Sequence, residues 1–245
     1  MPRTRFGHES GGDERVPFTR VRARAATALL ESKHTAAHAH VAVPCDYSAV
    51  DEFRLRAREA FAVEEGFALT ALPFVAVAVC RALRAFPGVN VTVGDDGAVV
   101  EHRRVSLGIA VDLAHTGLVV PVVHDADGLT LRGVARAIHW IATRARDKRL
   151  GPDDLAGGTF TITNPGAHGT ALSFPIIHRP QAAILVTDGV HRTVVADDAG
   201  RIDVRPVGML GLGFDHRVID HHVAGAFVAC VRDELETTDW SERLP

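Results

Sequence analysis

Apolar residues recur at every fourth position through Val223, Phe227, Val231 and Leu235, which predicts a helix near the C-terminus. Just upstream, residues 204–212 alternate in character, the period of a half-buried strand. Residues 69–86 are apolar almost all round, through Leu72, Phe74, Val75, Val77, Val79 and Leu83. That run is too long for a strand and predicts a buried helix with Pro73 in its first turn. Other helices are predicted from Thr19 as N-cap, over 46–61, and along the stripe Leu131, Val134, Ile138, Ile141 and Ala145. Period-two runs predict strands at 39–43, 105–111, 159–163, 182–186 and 190–196. A short strand at 89–93 precedes the turn Asp95-Asp96-Gly97. Residues 118–123 are almost wholly apolar, which places them at the centre of a sheet. Strands and helices mix without strict alternation. The expected fold is therefore α/β: a two-layer sandwich, a mixed β-sheet with helices on one face. Residues 1–15 hold few large apolar groups and are expected to form a flexible tail or linker remnant, with 16–245 as one domain.

Composition narrows the function classes. The net charge is −3 over 245 residues, which argues against a nucleic-acid partner. No apolar run reaches the ~18 residues that span a bilayer, so no membrane partner is expected. Cys45, Cys80 and Cys230 are far apart and form no CxxC pair, so they read as reduced, buried thiols of a cytoplasmic protein. The polar face of the 131–146 helix carries Arg132, Arg136, Arg144 and Arg146, with Lys148 and Arg149 just beyond. That pattern fits a solvated face or a phosphate contact.

Three sets of residues could carry chemistry. His216 lies where the last strand ends and the last helix starts, with Asp220 four residues on. An imidazole there can act as a general base, and a carboxylate at that spacing shares its side if a helix begins between them. The same residues also fit a structural His–Arg–Asp network. Thr163 ends a strand before Asn164-Pro165-Gly166, so its hydroxyl could donate to an oxyanion or simply pack as a strand residue. His34, His38 and His40, and His216, His221 and His222, cluster in sequence without a metal-site spacing, and no metal is expected. No serine elbow and no glycine-rich phosphate loop follows any strand.

Several collinear blocks resemble the catalytic inner-core domain of the dihydrolipoamide acyltransferases of 2-oxo acid dehydrogenase complexes. They include Val16-Pro17-Phe18-Thr19-Arg20, Leu72-Pro73-Phe74, Leu107-Gly108-Ile109-Ala110-Val111-Asp112 and Gly117-Leu118-Val119-Val120-Pro121-Val122. Gly157-Gly158-Thr159-Phe160-Thr161-Ile162-Thr163-Asn164, Pro175-Ile176-Ile177, Pro180-Gln181-Ala182-Ala183-Ile184-Leu185 and Asp215-His216-Arg217-Val218-Ile219-Asp220 follow in order. The resemblance covers about Val16 to Leu235 and implies the CoA-dependent acyltransferase fold shared with chloramphenicol acetyltransferase.

It further implies acyl transfer between dihydrolipoamide and coenzyme A, with coenzyme A as substrate and the lipoyl group supplied by a domain absent from this chain. His216 matches the family's general base, Thr163 its oxyanion-binding hydroxyl, and Asp220 the residue that helps hold the site. The implied assembly is a homotrimer, with each site between two subunits, built into a larger cage. The dehydrogenase and dihydrolipoamide dehydrogenase components are the implied partners. Phe214 leans towards the branched-chain enzymes, with acetyl and succinyl as the other acyl groups. The chain departs from the family at His221, where the motif has glycine. That departure raises a catalytically impaired scaffold as one alternative, and a stand-alone chloramphenicol-type acetyltransferase is another.

Overall fold

A computed structural model describes residues 16–113, 117–196 and 199–243; the expected tail at 1–15 lies outside them, as do Asp197 and Asp198 of the turn at 197–200. The elements in order are α1 (Arg20–Thr35), β1 (His38–Asp46), α2 (Ser48–Glu65), α3 (Leu72–Ala85), β2 (Val91–Val93) and β3 (Val99–Glu101). Then come β4 (Leu107–Ile109), β5 (Val111–Asp112), β6 (Leu118–Val119), β7 (Val122–Val123), α4 (Leu131–Arg146) and β8 (Phe160–Thr163). β9 (Ala183–Thr187), β10 (His191–Ala196), β11 (Ile202–Asp215) and α5 (His221–Thr237) complete the fold.

The main sheet has seven strands in the order β1-β11-β9-β8-β4-β7, with β10 also paired to β11. It is mixed, as expected: β8 runs parallel to β9 and β4, and the other pairings are antiparallel. α5 lies on β1 and β11, α3 packs on α5, and α4 packs on α3 and β7. Phe227 of α5 centres this layer, with its ring near Phe86 and Phe160. Thr19 caps α1 as predicted, its hydroxyl accepting from the Arg22 N–H at 3.2 Å.

Two expectations fail: the predicted strand 105–111 is divided between β4 in the main sheet and β5 in a separate pair with β6, and the second failure is at 118–123. Residues 118–123 do not form a central strand; they split into β6, paired only with β5, and β7, at the edge of the main sheet. Pro121 sits at the break. It has no N–H to give to a ladder, and its ring excludes a central place. Its carbonyl instead accepts from Ile109 N–H at 2.8 Å.

The face of β11 away from the helices matters for the site. Leu210, Leu212 and Phe214 point into the core, so Gly211 and Gly213 point the other way. β8 and β9 are parallel, so the chain must return the full length of the sheet between them. It does so without an α-helix, over Gly211 and Gly213. A Cβ on Gly213 would stand 3.0 Å from the Pro175 carbonyl, a contact only glycine avoids. His38 and His40 of β1 share that face. The ring of His38 accepts from Ile177 N–H through Nε2 (3.1 Å) and bonds the Ala36 carbonyl through Nδ1 (3.1 Å). His40 Nε2 reaches the Pro175 carbonyl at 3.2 Å. The His-x-His pattern thus satisfies the backbone of the crossing segment. Burial holds the pKa of His38 below the ordinary histidine value, which suits the neutral ring its two bonds require.

Candidate active site

His216 stands on a turn that is fixed from three sides. Its N–H donates to Ala37 O at 2.9 Å, which ties it to the entry of β1. Asp215, only 2% exposed, donates its N–H to Ala182 O at 2.8 Å. The Asp215 carboxylate accepts from the backbone N–H groups of Ala37 (3.2 Å) and Arg217 (3.1 Å). The Arg217 guanidinium grips both oxygens, at 2.9 and 2.6 Å. Burial pushes the Asp215 carboxyl up, but Arg217 and the two N–H donors outweigh it and hold its pKa below the usual carboxylate range. Asp215 was legible as part of a motif, yet its role as the clamp was not.

The expected pairing of His216 with Asp220 does not form. α5 begins at His221, after Asp220, so no helix starts between the two residues and the spacing of four has no helical meaning. The Asp220 carboxylate is exposed and has no hydrogen-bond partner among the described residues. The partner of His216 is instead His221, whose Nδ1 lies 2.7 Å from His216 Nε2. Both rings rest on buried Phe214, at 5.7 and 5.2 Å between centroids. His221 takes the helix start without strain: the described non-glycine residues with positive φ are Asp125 and Lys148.

Thr163 closes β8, half-buried, and its hydroxyl has no partner among the described residues. The segment after it is held by Asp188, 3% exposed, which accepts from the Thr170 hydroxyl (2.6 Å), the Ser173 hydroxyl (2.6 Å) and the Ser173 N–H (2.9 Å). Thr163 and His216 are not brought together. Thr163 pairs with Val186 and Val186 with Gly211, five residues before His216. At about 3.3 Å per residue and about 4.8 Å per strand, they stand roughly 15–20 Å apart, at opposite ends of the sheet.

At Asp215 and Arg217, a cavity of about 380 Å³ is lined also by Glu31, Asp95, Arg179 and Pro180, among others, and His216 is not part of its lining. Arg179 is paired there to Glu31 (2.7 Å) and Asp95 (2.6 Å). Three of the four α4 arginines are paired rather than free: Arg132 and Arg136 with Glu65 at 2.6 Å, and Arg144 with Asp154 at 2.8 Å. No cluster of three or more metal-ligating side chains occurs among the described residues. Cys45, Cys80 and Cys230 are free thiols, and burial pushes Cys80 up to about 12.

The family described as 2-oxoacid dehydrogenases acyltransferase (catalytic domain) matches residues 10–241. The chain is 36% identical over 236 residues to the lipoamide acyltransferase component of the branched-chain alpha-keto acid dehydrogenase complex of Bacillus subtilis, covering 96% of this chain and 55% of that one. It is 42% identical over 223 residues to the acetyltransferase component of the pyruvate dehydrogenase complex of Mycobacterium bovis, covering 89% and 40%. It is 39% identical over 228 residues to the succinyltransferase component of the 2-oxoglutarate dehydrogenase complex of Bartonella vinsonii, covering 91% and 54%. The chain thus spans about half the length of the curated relatives it matches.

Among solved structures, a probable dihydrolipoamide acetyltransferase of Listeria monocytogenes superposes with a TM-score of 0.89 at 35% identity, covering 93% of this chain and 96% of that one. An Azotobacter vinelandii dihydrolipoamide acetyltransferase, studied for the role of a serine, a histidine and an asparagine in catalysis, gives 0.88 at 32%, covering 93% of each. The cubic core of a pyruvate dehydrogenase multienzyme complex gives 0.87 at 33%, again covering 93% of each. Chloramphenicol acetyltransferase, at 13% identity and a TM-score of 0.54 over 85% of this chain and 94% of that one, shares the fold. The chain belongs to the 2-oxoacid dehydrogenase acyltransferase family, and its described fold is that family's catalytic domain.

Proposed function

We propose that residues 16–245 form the acyl-transfer core of a cytoplasmic 2-oxo acid dehydrogenase complex, moving an acyl group between dihydrolipoamide and coenzyme A. The observation that carries this reading is the rigid presentation of His216 within a family of such acyltransferases. A thiol, from coenzyme A or from a lipoyl arm on another domain, gives its proton to His216. Its sulfur attacks the thioester carbonyl carbon. The carbonyl oxygen takes up the charge, and a Thr163 hydroxyl donates to it. The intermediate collapses, the old C–S bond breaks, and the departing sulfur recovers the proton from His216. The acyl group never attaches to the protein.

Because Thr163 and His216 stand at opposite ends of one sheet, the Thr163 that serves His216 is assigned to a neighbouring subunit. A homotrimer, assembled into a cage, is the proposed arrangement, and the cubic-core relative supports it. The dehydrogenase and dihydrolipoamide dehydrogenase components are its proposed partners. In the A. vinelandii relative the asparagine follows the histidine by four residues, as Asp220 follows His216, and the serine precedes it at nearly the spacing of Thr163. That correspondence supports Thr163 as oxyanion donor and Asp220 as a residue that helps hold the site. The three free thiols support a reducing, cytoplasmic setting.

For the acyl group we keep the branched-chain reading, supported by Phe214 and the B. subtilis relative. Isobutyryl-, acetyl- and succinyl-CoA turnover should be compared directly, with isobutyryl-CoA expected fastest. The decisive variant is His216→Ala, assayed for acyl transfer from acyl-CoA to dihydrolipoamide. A loss of at least ~100-fold is expected for a missing general base. Equal rates would remove His216 from the mechanism. The scaffold alternative rests on His221 standing where the family motif has glycine; robust turnover by the unaltered chain would end it.

A further inference from the structure

We infer that His221 is a positioning residue that holds the His216 imidazole in one rotamer and one tautomer. The inference rests on the reading of His216 as the base. A neutral imidazole has one N–H and one bare nitrogen, and the two can exchange places. A base works only when the bare nitrogen faces the thiol, so something must hold the ring and choose the tautomer. In serine hydrolases a buried carboxylate does this for the histidine. Here the carboxylates nearest in sequence cannot. Asp215 is committed to Arg217, Ala37 and its own turn, and Asp220 is exposed and unpaired among the described residues.

The group that touches the ring is His221, with 2.7 Å between its Nδ1 and His216 Nε2 and 4.6 Å between ring centroids. His221 is itself held. It is the first residue of α5, and its ring meets Phe214 edge-on, at 83° and 5.2 Å. Phe214 is fully buried and also lies against His216 at 5.7 Å. The two imidazoles thus share one rigid aromatic floor, and the hydrogen bond between them couples their tautomers: with His216 Nε2–H donating to His221 Nδ1, His216 Nδ1 is left bare to act as the base. A glycine at position 221, as in the family motif, offers neither ring nor hydrogen bond.

The test compares the full chain with His221→Ala, His221→Gly and His221→Asn. An asparagine amide can stand where the imidazole Nδ1 stands, so it keeps the hydrogen bond without the ring. Two readouts are needed. In ¹⁵N-histidine NMR at neutral pH, His216 should show one dominant tautomer in the unaltered chain and in His221→Asn. It should show a mixture in His221→Ala and His221→Gly. In the acyl-transfer assay, the alanine and glycine variants should lose about tenfold in kcat with KM little changed, part of the 10²–10⁴ a positioned base contributes. The asparagine variant should recover most of it. A glycine variant as fast as or faster than the parent, with unchanged tautomer populations, would overturn the inference. Because the NMR arm needs no turnover, an active His216→Ala would sink the functional reading while the tautomer data still decide the role of His221.

Discussion

The two ends of the main sheet are built differently. At one end His216 is held by charge: the Arg217 guanidinium and the N–H groups of Ala37 and Arg217 converge on the buried Asp215 carboxylate. At the other end Thr163 is followed by a segment held by neutral donors, the Thr170 and Ser173 hydroxyls and one N–H on Asp188. A base must keep its place through the reaction, and the Asp215–Arg217 ion pair fixes the turn that carries it. A hydroxyl donor needs only direction, which a hydroxyl network supplies. Within one chain the two ends do not meet.

Asp215→Ala strikes the charged end and carries the largest expected effect. It leaves two backbone N–H groups and the Arg217 guanidinium without their acceptor, so a loss of about 3 kcal/mol is expected in urea denaturation. Activity should fall at least ~100-fold as the His216 turn opens. Stability equal to the parent would show that the turn holds itself. The same carboxylate has a pH signature. Its folded pKa is depressed, so its contribution is present above the unfolded value of about 3.9 and is lost as pH falls through the folded one. Asp215→Asn should therefore flatten the stability loss below about pH 4.

Asp188→Ala strikes the other end more gently. Three donors lose an acceptor, but the hydroxyls can turn to water, and about 2 kcal/mol is expected from the same denaturation. Turnover should fall through misplacement of Thr163 while His216 tautomer signals stay unchanged. A change in those signals would mean the two ends are coupled within one chain. Arg136→Ala, far from both, is the smallest: its exposed guanidinium faces Glu65, and a melting temperature within about 2 °C of the parent is expected.

Much of the fold could be read from periodicity. The buried α3, the hairpin at Asp95-Asp96-Gly97 and the strand-to-helix junction at His216 all follow local patterns that tertiary structure did not override. The strand at 118–123 was misread because hydropathy alone was weighed, while Pro121 broke the ladder. The site was half legible. Thr163 and His216 could be found singly, but their separation depends on the order β8-β9-β11, which no local pattern reveals. The spacing of four between His216 and Asp220 misled because the helix starts one residue later. His221 looked like an intrusion in sequence, and only the ring geometry shows it bonded to His216.

On the proposed function, a working site takes His216 from one subunit and Thr163 from another. His216→Ala and Thr163→Ala chains, each nearly inactive alone, should be co-expressed in equal amounts and assayed for acyl transfer. If sites lie between subunits of a symmetric trimer, random mixing restores about a quarter of them, and activity should return to about a quarter of the parent level. If each chain builds its own site, every site in the mixture lacks one group, and activity no higher than that of the separate variants would contradict the account.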